Sequence, residues 1–159
     1  MNFLKIFNIN EKKIILNKLK TQFGVSSLDG IFLKRGADRI FLFQGSFNEE
    51  TIKNLERIIP IERVGIYFGK IQNNELRLSI DGIHLLQNQI KKNIFELDEK
   101  QLKSWLRGNE LNISTGKKGF LIMKYKDDFI GCGKASEQKI TNFIPKNRRL
   151  KEKNNKNNL

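Results

Sequence analysis

The chain has 159 residues, 38% of them hydrophobic, and a formal net charge of +13 at pH 7. That length accommodates one domain or two small domains that share an interface. A single cysteine excludes an internal disulfide, and one cysteine with one histidine excludes the common zinc sites. Because no apolar run approaches the roughly 18 residues of a membrane span and the first residues lack signal-peptide features, we expect a soluble, cytoplasmic protein.

The positive charge is unevenly distributed along the chain. From Arg107 onward there are 13 Lys/Arg against 5 Asp/Glu, a net of +8, whereas the first 106 residues have a net of +5. An AT-rich genome enriches Lys, Asn and Ile together, but it acts evenly along a chain. The asymmetry therefore favours a polyanionic partner, nucleic acid in particular, on the C-terminal side.

Two amphipathic helices are predicted near the N-terminus. The first covers residues 11–23, with Asn10 as its N-cap and Gly24 as its stop. The second follows a capping box that begins at Ser46, and Pro60 ends it. We expect its buried face to contain Ile52, Leu55 and Ile59.

Two strand pairs complete the predicted N-terminal domain. The pairs are residues 31–35 with 39–43, and residues 63–69 with 75–80. Arg35 and Arg39 lie near the first turn, where we expect them to be solvated. Residues 81–86 form a short helical joint in which His84 is expected to be a packed residue. Residues 1–86 are thus predicted to be a small α+β domain of two hairpins and two helices.

A second domain is predicted over residues 92–150. It has a strand at 94–97, a helix capped by Asp98 and ended by Gly108, and three further strands that complete a small β-barrel. The predicted strands are residues 120–125, 129–135 and 139–144. The Lys/Asn-rich tail, residues 151–159, is expected to be disordered. The fold class is therefore α+β.

The second domain carries a recognisable combination of motifs. A capped helix ends in Arg107-Gly108, a return strand reads Ile130-Gly-Cys-Gly-Lys-Ala135, and the exit reads Asn142-x-x-Pro-Lys-x-x-Arg149. This combination resembles a PUA-type RNA-binding domain, and within that class the C-terminal module of the Nop/Sun (Fmu) family of rRNA cytosine-5 methyltransferases. The N-terminal half is more loosely similar to the pre-PUA domain of small ribosome-biogenesis proteins. Both resemblances imply an RNA partner.

The chain departs from those methyltransferases in the residues that carry their chemistry. Their catalytic domain needs an S-adenosylmethionine fingerprint and a nucleophilic cysteine in a Pro-Cys pair, and no stretch here resembles either. Cys132, the single cysteine, lies between two glycines and has no proline before it. We therefore expect no catalytic residue, no enzymatic activity, no cofactor and no metal, and Cys132 to be a small packed residue.

The predicted RNA-binding site lies between Arg107 and Arg149. Glycines within a strand mark a close approach of another backbone, so we expect RNA to pass beside Gly131 and Gly133. Basic residues would contact phosphates, Asn142 would read a base edge or a 2′-hydroxyl, and Phe143 would either stack on a base or belong to the core. The predicted set is Arg107, Gly108, Lys117, Lys118, Gly131, Gly133, Lys134, Asn142, Phe143, Lys146, Arg148 and Arg149. Lys117 and Lys118 fit solvated surface equally well.

The predicted function is binding of rRNA or tRNA, in ribosome biogenesis or as an accessory to rRNA or tRNA modification. Two alternatives stay open. One is a protein-interaction subunit that recruits a Nop/Sun-type methyltransferase or an assembly factor. The other is a fragment with methyl-transfer activity of its own.

Overall fold

The computed structural model describes residues 4–151, and the chain divides into two compact units, Met1–Asn93 and Ile94–Leu159. The predicted linker, residues 87–93, lies in the first unit, where the Asn93 side chain donates a hydrogen bond of 2.6 Å to the carbonyl of Gln22. Apart from Lys151, the tail predicted to be disordered lies outside the described residues. Within residues 4–151, no helix is long and apolar enough to cross a membrane.

The first unit contains one five-stranded antiparallel sheet rather than two separate hairpins. Its strands are Lys5–Ile6 (β1), Ile31–Arg35 (β2), Arg39–Phe43 (β3), Ile66–Gln72 (β4) and Glu75–Leu78 (β5). They pair in chain order, β1-β2-β3-β4-β5. The additional pairing of β3 with β4 joins the two predicted hairpins, and sequence alternation alone could not reveal it.

The first helix begins earlier than predicted. Helix α1 covers Ile9–Lys18 and continues as a π-helical turn, Leu19–Phe23, before Gly24 ends it with φ = 74°. The N-cap is Asn8 and not Asn10, because the Asn8 side chain accepts from the backbone N–H of Glu11 at 2.9 Å. Hydrogen bonds from Lys5 and from the backbone N–H of Asn8 lower the pKa of Glu11.

The cap of the second helix was also predicted wrongly. Helix α2 covers Glu49–Ile58, and its N-cap is Asn48, whose side chain accepts from Thr51 N at 2.8 Å, instead of Ser46. Ile52 is buried, but Ile59 is 54% exposed. Ile59 has left the helix, with φ = −133° and ψ = 139°, so the helical spacing that predicted its burial no longer applies.

A third helix, α3, covers Ile80–Leu86 and begins directly after β5 at the N-cap Ser79. Its buried residues include Ile83 and Leu86. His84 is exposed, so the prediction of a packed histidine was wrong. His84 directly follows the buried Ile83. One step along a helix turns a side chain by about 100°, so the side chain of His84 points away from the direction of Ile83.

The two faces of the first sheet are covered by different helices. On the front face, Leu33 of β2 and Phe41 of β3 pack in one apolar cluster with Ile52 of α2. On the back face, residues of α1 line an apolar cleft together with Ile40 and Ile71. The front face is the side on which Leu33 and Phe41 lie directly opposite each other in the β2–β3 register.

The second unit contains a four-stranded sheet and one helix. Its elements are Ile94–Glu96 (β6), Glu99–Leu106 (α4), Gly119–Tyr125 (β7), Asp128–Ala135 (β8) and Ile140–Asn142 (β9). The strand order is β6-β7-β8-β9, with β6 parallel to β7 and the other pairs antiparallel. Because β6 and β9 are the two edges of this order, the predicted barrel is not closed. The predicted capping box is confirmed: Asp98 accepts from Gln101 N, and the Gln101 side chain accepts from Asp98 N.

The core of the second unit is built around Trp105, which is completely buried. Its cluster contains Leu97, Leu111, Leu121, Met123, Ala135, Ile140 and Ile144. The register of β7 and β8 places Gly133 opposite Leu121 and Gly131 opposite Met123. Because Leu121 and Met123 belong to the cluster, both glycines lie on the face of the sheet that forms this core.

Candidate nucleic-acid interface

The end of α4 is held against the segment that leaves β9. Leu150 donates its backbone N–H to the carbonyl of Leu106 at 2.9 Å, and Arg149 Nε donates to the carbonyl of Ile144 at 2.9 Å. Gly108 has φ = 89°, and a Cβ atom there would collide with the Arg149 guanidinium. Gly108, predicted to end the helix and to contact RNA, thus permits the close approach of Arg149.

These contacts bring together the basic residues that are far apart in sequence. Arg107 is the C-cap of α4, and Lys146–Arg148 is a single 3-10 turn after Pro145. Arg107, Lys146 and Arg148 are exposed, and Arg149 is half-buried. We refer to Arg107, Lys146, Arg148 and Arg149 as the basic cluster.

Both glycines of the return strand are buried, contrary to a role in direct RNA contact. A Cβ atom at Gly133 would lie 2.5 Å from Ile140 Cγ2 and 2.8 Å from Trp105 Cη2. Gly131 has φ = 130°, a backbone conformation that side chains rarely adopt. The close approach that Gly133 permits is that of the Trp105 ring.

Asn142, predicted to read RNA, is buried and holds the core through its hydrogen bonds. Only 9% of it is exposed, and its amide donates to the carbonyls of Trp105 at 2.8 Å and Asn109 at 3.0 Å. Its carbonyl accepts from Ile144 N at 2.8 Å. Asn142 therefore satisfies carbonyl groups at the end of α4, a role that its place in an otherwise apolar strand could have indicated.

Lys134 and Phe143 lie on the other face of the second sheet. Lys134 Nζ is 5.3 Å from the centroid of the Phe120 ring, and the half-buried Phe143 ring is 5.9 Å from the same ring. The contact with Phe120 supports the packing role that was the alternative for Phe143. Lys134 is half-buried and holds its charge over an aromatic ring.

Lys117 and Lys118 are exposed in the loop before β7. Lys118 Nζ lies 3.5 Å from Glu137 Oε1, with both side chains mostly exposed. Nearby in the fold, Lys139 Nζ lies 2.8 Å from Glu110 Oε2. Carboxylates therefore balance part of the charge at this end of the unit, although such exposed pairs contribute little to stability.

The second unit, which contains the basic cluster, is similar to known proteins. Residues 92–150 match the family described as "Methyltransferase RsmF PUA domain". These residues are a PUA-type domain. The predicted resemblance to the C-terminal module of the Nop/Sun methyltransferases is thereby confirmed, and the family that matches is a PUA domain rather than a catalytic domain.

A curated relative extends the similarity beyond the PUA domain. "Ribosomal RNA small subunit methyltransferase F" from Psychromonas ingrahamii is 24% identical over an alignment of 132 residues that covers 79% of this chain and 26% of the relative. The chain thus spans about a quarter of the relative's length. Because the PUA match covers only residues 92–150, the aligned region includes much of the first unit as well.

Proposed function

We propose that this protein binds RNA, and that the RNA is ribosomal or transfer RNA contacted by the basic cluster of the PUA domain. The match of residues 92–150 to the PUA domain of a ribosomal RNA methyltransferase carries the proposal. The proposed role is in ribosome biogenesis or as an accessory to modification of rRNA or tRNA in the cytoplasm.

The basic cluster has the chemistry that a phosphate backbone requires. Guanidinium groups bind phosphate oxygens through paired N–H donors, and three members of the cluster are exposed. Arg149 is oriented by its hydrogen bond to Ile144 and by its contact with Gly108, so little side-chain freedom is lost when it binds. Gly131, Gly133 and Asn142 support this surface from the core and do not form part of it.

We propose that the PUA domain has no catalytic step of its own. The single cysteine, Cys132, is 4% exposed within β8, whereas a nucleophile must reach its substrate. Incubation of the protein with labelled S-adenosylmethionine and RNA should give no incorporation of label. Labelled RNA at the level of an active methyltransferase control would contradict this.

A protein partner is the second candidate, and apolar side chains on the surface of the first unit favour it. Ile9 is 75% exposed at the start of α1, and Ile58 is 80% exposed at the end of α2. This candidate predicts a co-purifying methyltransferase or assembly factor whose binding survives charge reversal at Lys146, Arg148 and Arg149.

Filter binding with a structured rRNA fragment and a tRNA, at several salt concentrations, tests the proposal. With the four phosphate contacts of the basic cluster, log affinity should fall against log salt with a slope of about −3 to −4. Arg107→Gln/Lys146→Gln/Arg148→Gln removes three of these contacts, so the slope should become less negative by about 2 to 3.

The matched control is Lys13→Gln/Lys20→Gln/Lys53→Gln, which removes the same charge from exposed helical positions of the first unit. It should change the slope much less than the cluster variant does. A salt-independent wild type, or equal effects of the two triple variants, would contradict binding through the basic cluster.

A further inference from the structure

Four cationic side chains form a row across the first sheet. In the register of neighbouring strands, Arg35 of β2 lies opposite Arg39 of β3, Arg39 opposite Lys70 of β4, and Lys70 opposite Arg77 of β5. We refer to these four residues as the cationic row. It lies at the end of the sheet where both hairpin turns, Gly36–Asp38 and Asn73–Asn74, are located.

The row lies on the front face of the sheet, beyond the part that α2 covers. Directly opposite residues point to the same side of a sheet, and residues two apart in a strand share a face. Arg35 is two residues after Leu33, and Arg39 is two residues before Phe41, both of which pack with α2. Arg39 is exposed, and the other three members are half-buried.

Such a row is unfavourable for the free protein. Like charges directly opposite each other on adjacent strands destabilise a sheet, and here three successive pairs are alike. Asp38 lies 3.2 Å from Lys70, and Arg77 Nη1 donates to Gln72 Oε1 at 3.4 Å. Glu75 is on the same face as Arg77 and two residues nearer the turn, opposite Gln72. Neither carboxylate separates the three arginines in the register.

Neighbouring groups orient Arg35 of the row and Arg63 beside it. Arg35 Nη1 donates to the carbonyl of Ile61 at 2.6 Å, which occupies one of the five donors of its guanidinium. Arg63, outside the row, places its Cζ 5.9 Å from the centroid of the Phe41 ring. Arg35, Arg39 and Arg63 line one open pocket of about 480 Å³ together with two carboxylates, Asp38 and Glu62, so the cations outnumber the anions there. Oriented donors around an open pocket suit a tetrahedral oxyanion.

We propose that the cationic row, with Arg63 at its side, is a second binding site for the phosphates of an RNA backbone. Three strand spacings of about 4.8 Å give the row a length of about 14 Å, so the ligand is a strand of linked phosphates and not a single anion. This inference rests on the proposed function, since it takes RNA as the partner. The phosphates supply negative charge along the row, whose four register positions are all cationic.

The test compares variants of the full chain in the same salt-dependent RNA titration. Arg39→Gln/Arg77→Gln removes two cations and leaves the Arg35 and Lys70 contacts in place. Its salt slope should be less negative than that of the wild type by about 1.4 to 1.8, and its affinity at 0.1 M salt about 25- to 60-fold lower. Arg39→Lys/Arg77→Lys keeps the charge and should recover most of the slope. Lys13→Gln/Lys20→Gln, on the helix of the back face, is the matched control.

The outcomes separate this site from the basic cluster. If Arg39→Gln/Arg77→Gln behaves like the control while the basic-cluster variant loses affinity, the cationic row is not an RNA site and the proposed function stands. If the row variant loses affinity and the basic-cluster variant does not, the row is supported and the proposed role of the PUA domain is overturned. If the wild type does not bind RNA, both are overturned.

Two further titrations distinguish a strand from a small anion. Inorganic phosphate and adenosine monophosphate, each added at the same phosphate concentration as the RNA, should not displace the RNA from the wild type. Displacement by either compound that is lost in Arg39→Gln/Arg77→Gln would overturn the proposal of a strand and indicate a small-anion site.

Discussion

Replacing Gly133 by alanine separates a core role of this glycine from a role in the RNA interface. The new methyl group would lie 2.5 Å from Ile140 Cγ2 and 2.8 Å from Trp105 Cη2. Real Cβ atoms do not approach other atoms so closely, so one of the neighbours must move. Trp105 and Ile140 are both completely buried, and neither has free space into which it can turn.

The expected magnitude follows from two opposing effects. Forcing a methyl group into a well-packed core costs about 1–3 kcal/mol. Replacing glycine reduces the freedom of the unfolded chain and stabilises by about 0.4–1 kcal/mol. The steric cost is larger, so we expect the PUA domain of Gly133→Ala to be less stable by roughly 1–2 kcal/mol.

The single tryptophan makes the measurement specific to the PUA domain. Trp105 is the one tryptophan of the chain, and its burial is complete, so its fluorescence reports the unfolding of this unit. A urea titration followed by fluorescence should show a lower midpoint for Gly133→Ala with the slope m unchanged. Under conditions where the variant is folded, its salt slope for RNA should equal that of the wild type.

A double-mutant cycle tests whether the steric contact is the cause. In the Trp105→Phe background, read by circular dichroism, the smaller ring gives the new methyl group more room. The cost of Gly133→Ala should then fall by at least 0.5 kcal/mol, beyond the usual error of additivity. An unchanged or higher stability of Gly133→Ala, or strict additivity with Trp105→Phe, would refute the packing of Gly133 beneath the indole.

Three further outcomes are expected. Arg39→Thr should stabilise the first unit by about 0.2–1 kcal/mol in thermal unfolding, because it removes two like-charged cross-strand pairs, while RNA affinity falls; a loss of stability would contradict the repulsion. Asn142→Ala should destabilise the PUA domain by about 1–3 kcal/mol in the fluorescence assay, since the carbonyls of Trp105 and Asn109 and the N–H of Ile144 each lose a hydrogen bond, and a change only in RNA affinity would argue against this role. Asn48→Ala should cost about 1 kcal/mol of thermal stability and Ser46→Ala almost nothing, and equal effects would reject Asn48 as the N-cap.

Much of the fold could be predicted from local patterns in the sequence. The hairpin of β2 and β3 has the predicted bounds, residues 31–35 and 39–43, because alternating apolar residues flank a short turn that contains Gly36. The Asp98 capping box is specified by residues three positions apart. The PUA resemblance combined several such local features, and the family match confirmed it.

The predictions that were wrong concern features that depend on contacts between residues far apart in the chain. Asn8, Asn10, Ser46 and Asn48 are all good capping residues, and only the position of the packed helix decides which of them caps it. The glycines of the return strand fit either a backbone approach from outside or an indole from inside. The structure has the second arrangement for Gly133, with the indole of Trp105, which lies 28 positions before Gly133 in the sequence.

The net charge of a sequence segment does not show how its charged side chains are placed across a sheet. The asymmetry of +8 against +5 pointed to the C-terminal third, and the basic cluster lies there. The same count concealed the cationic row, because the carboxylates of the first unit lower its net charge but occupy none of the four register positions of the row. Glu11, for example, accepts its hydrogen bond from Lys5 and not from the row. A sheet aligns side chains from four strands at one level, so a nearly balanced segment can still present a continuous line of positive charge. For a polyanionic partner, such a line is a stronger indication of binding than the net charge of the domain.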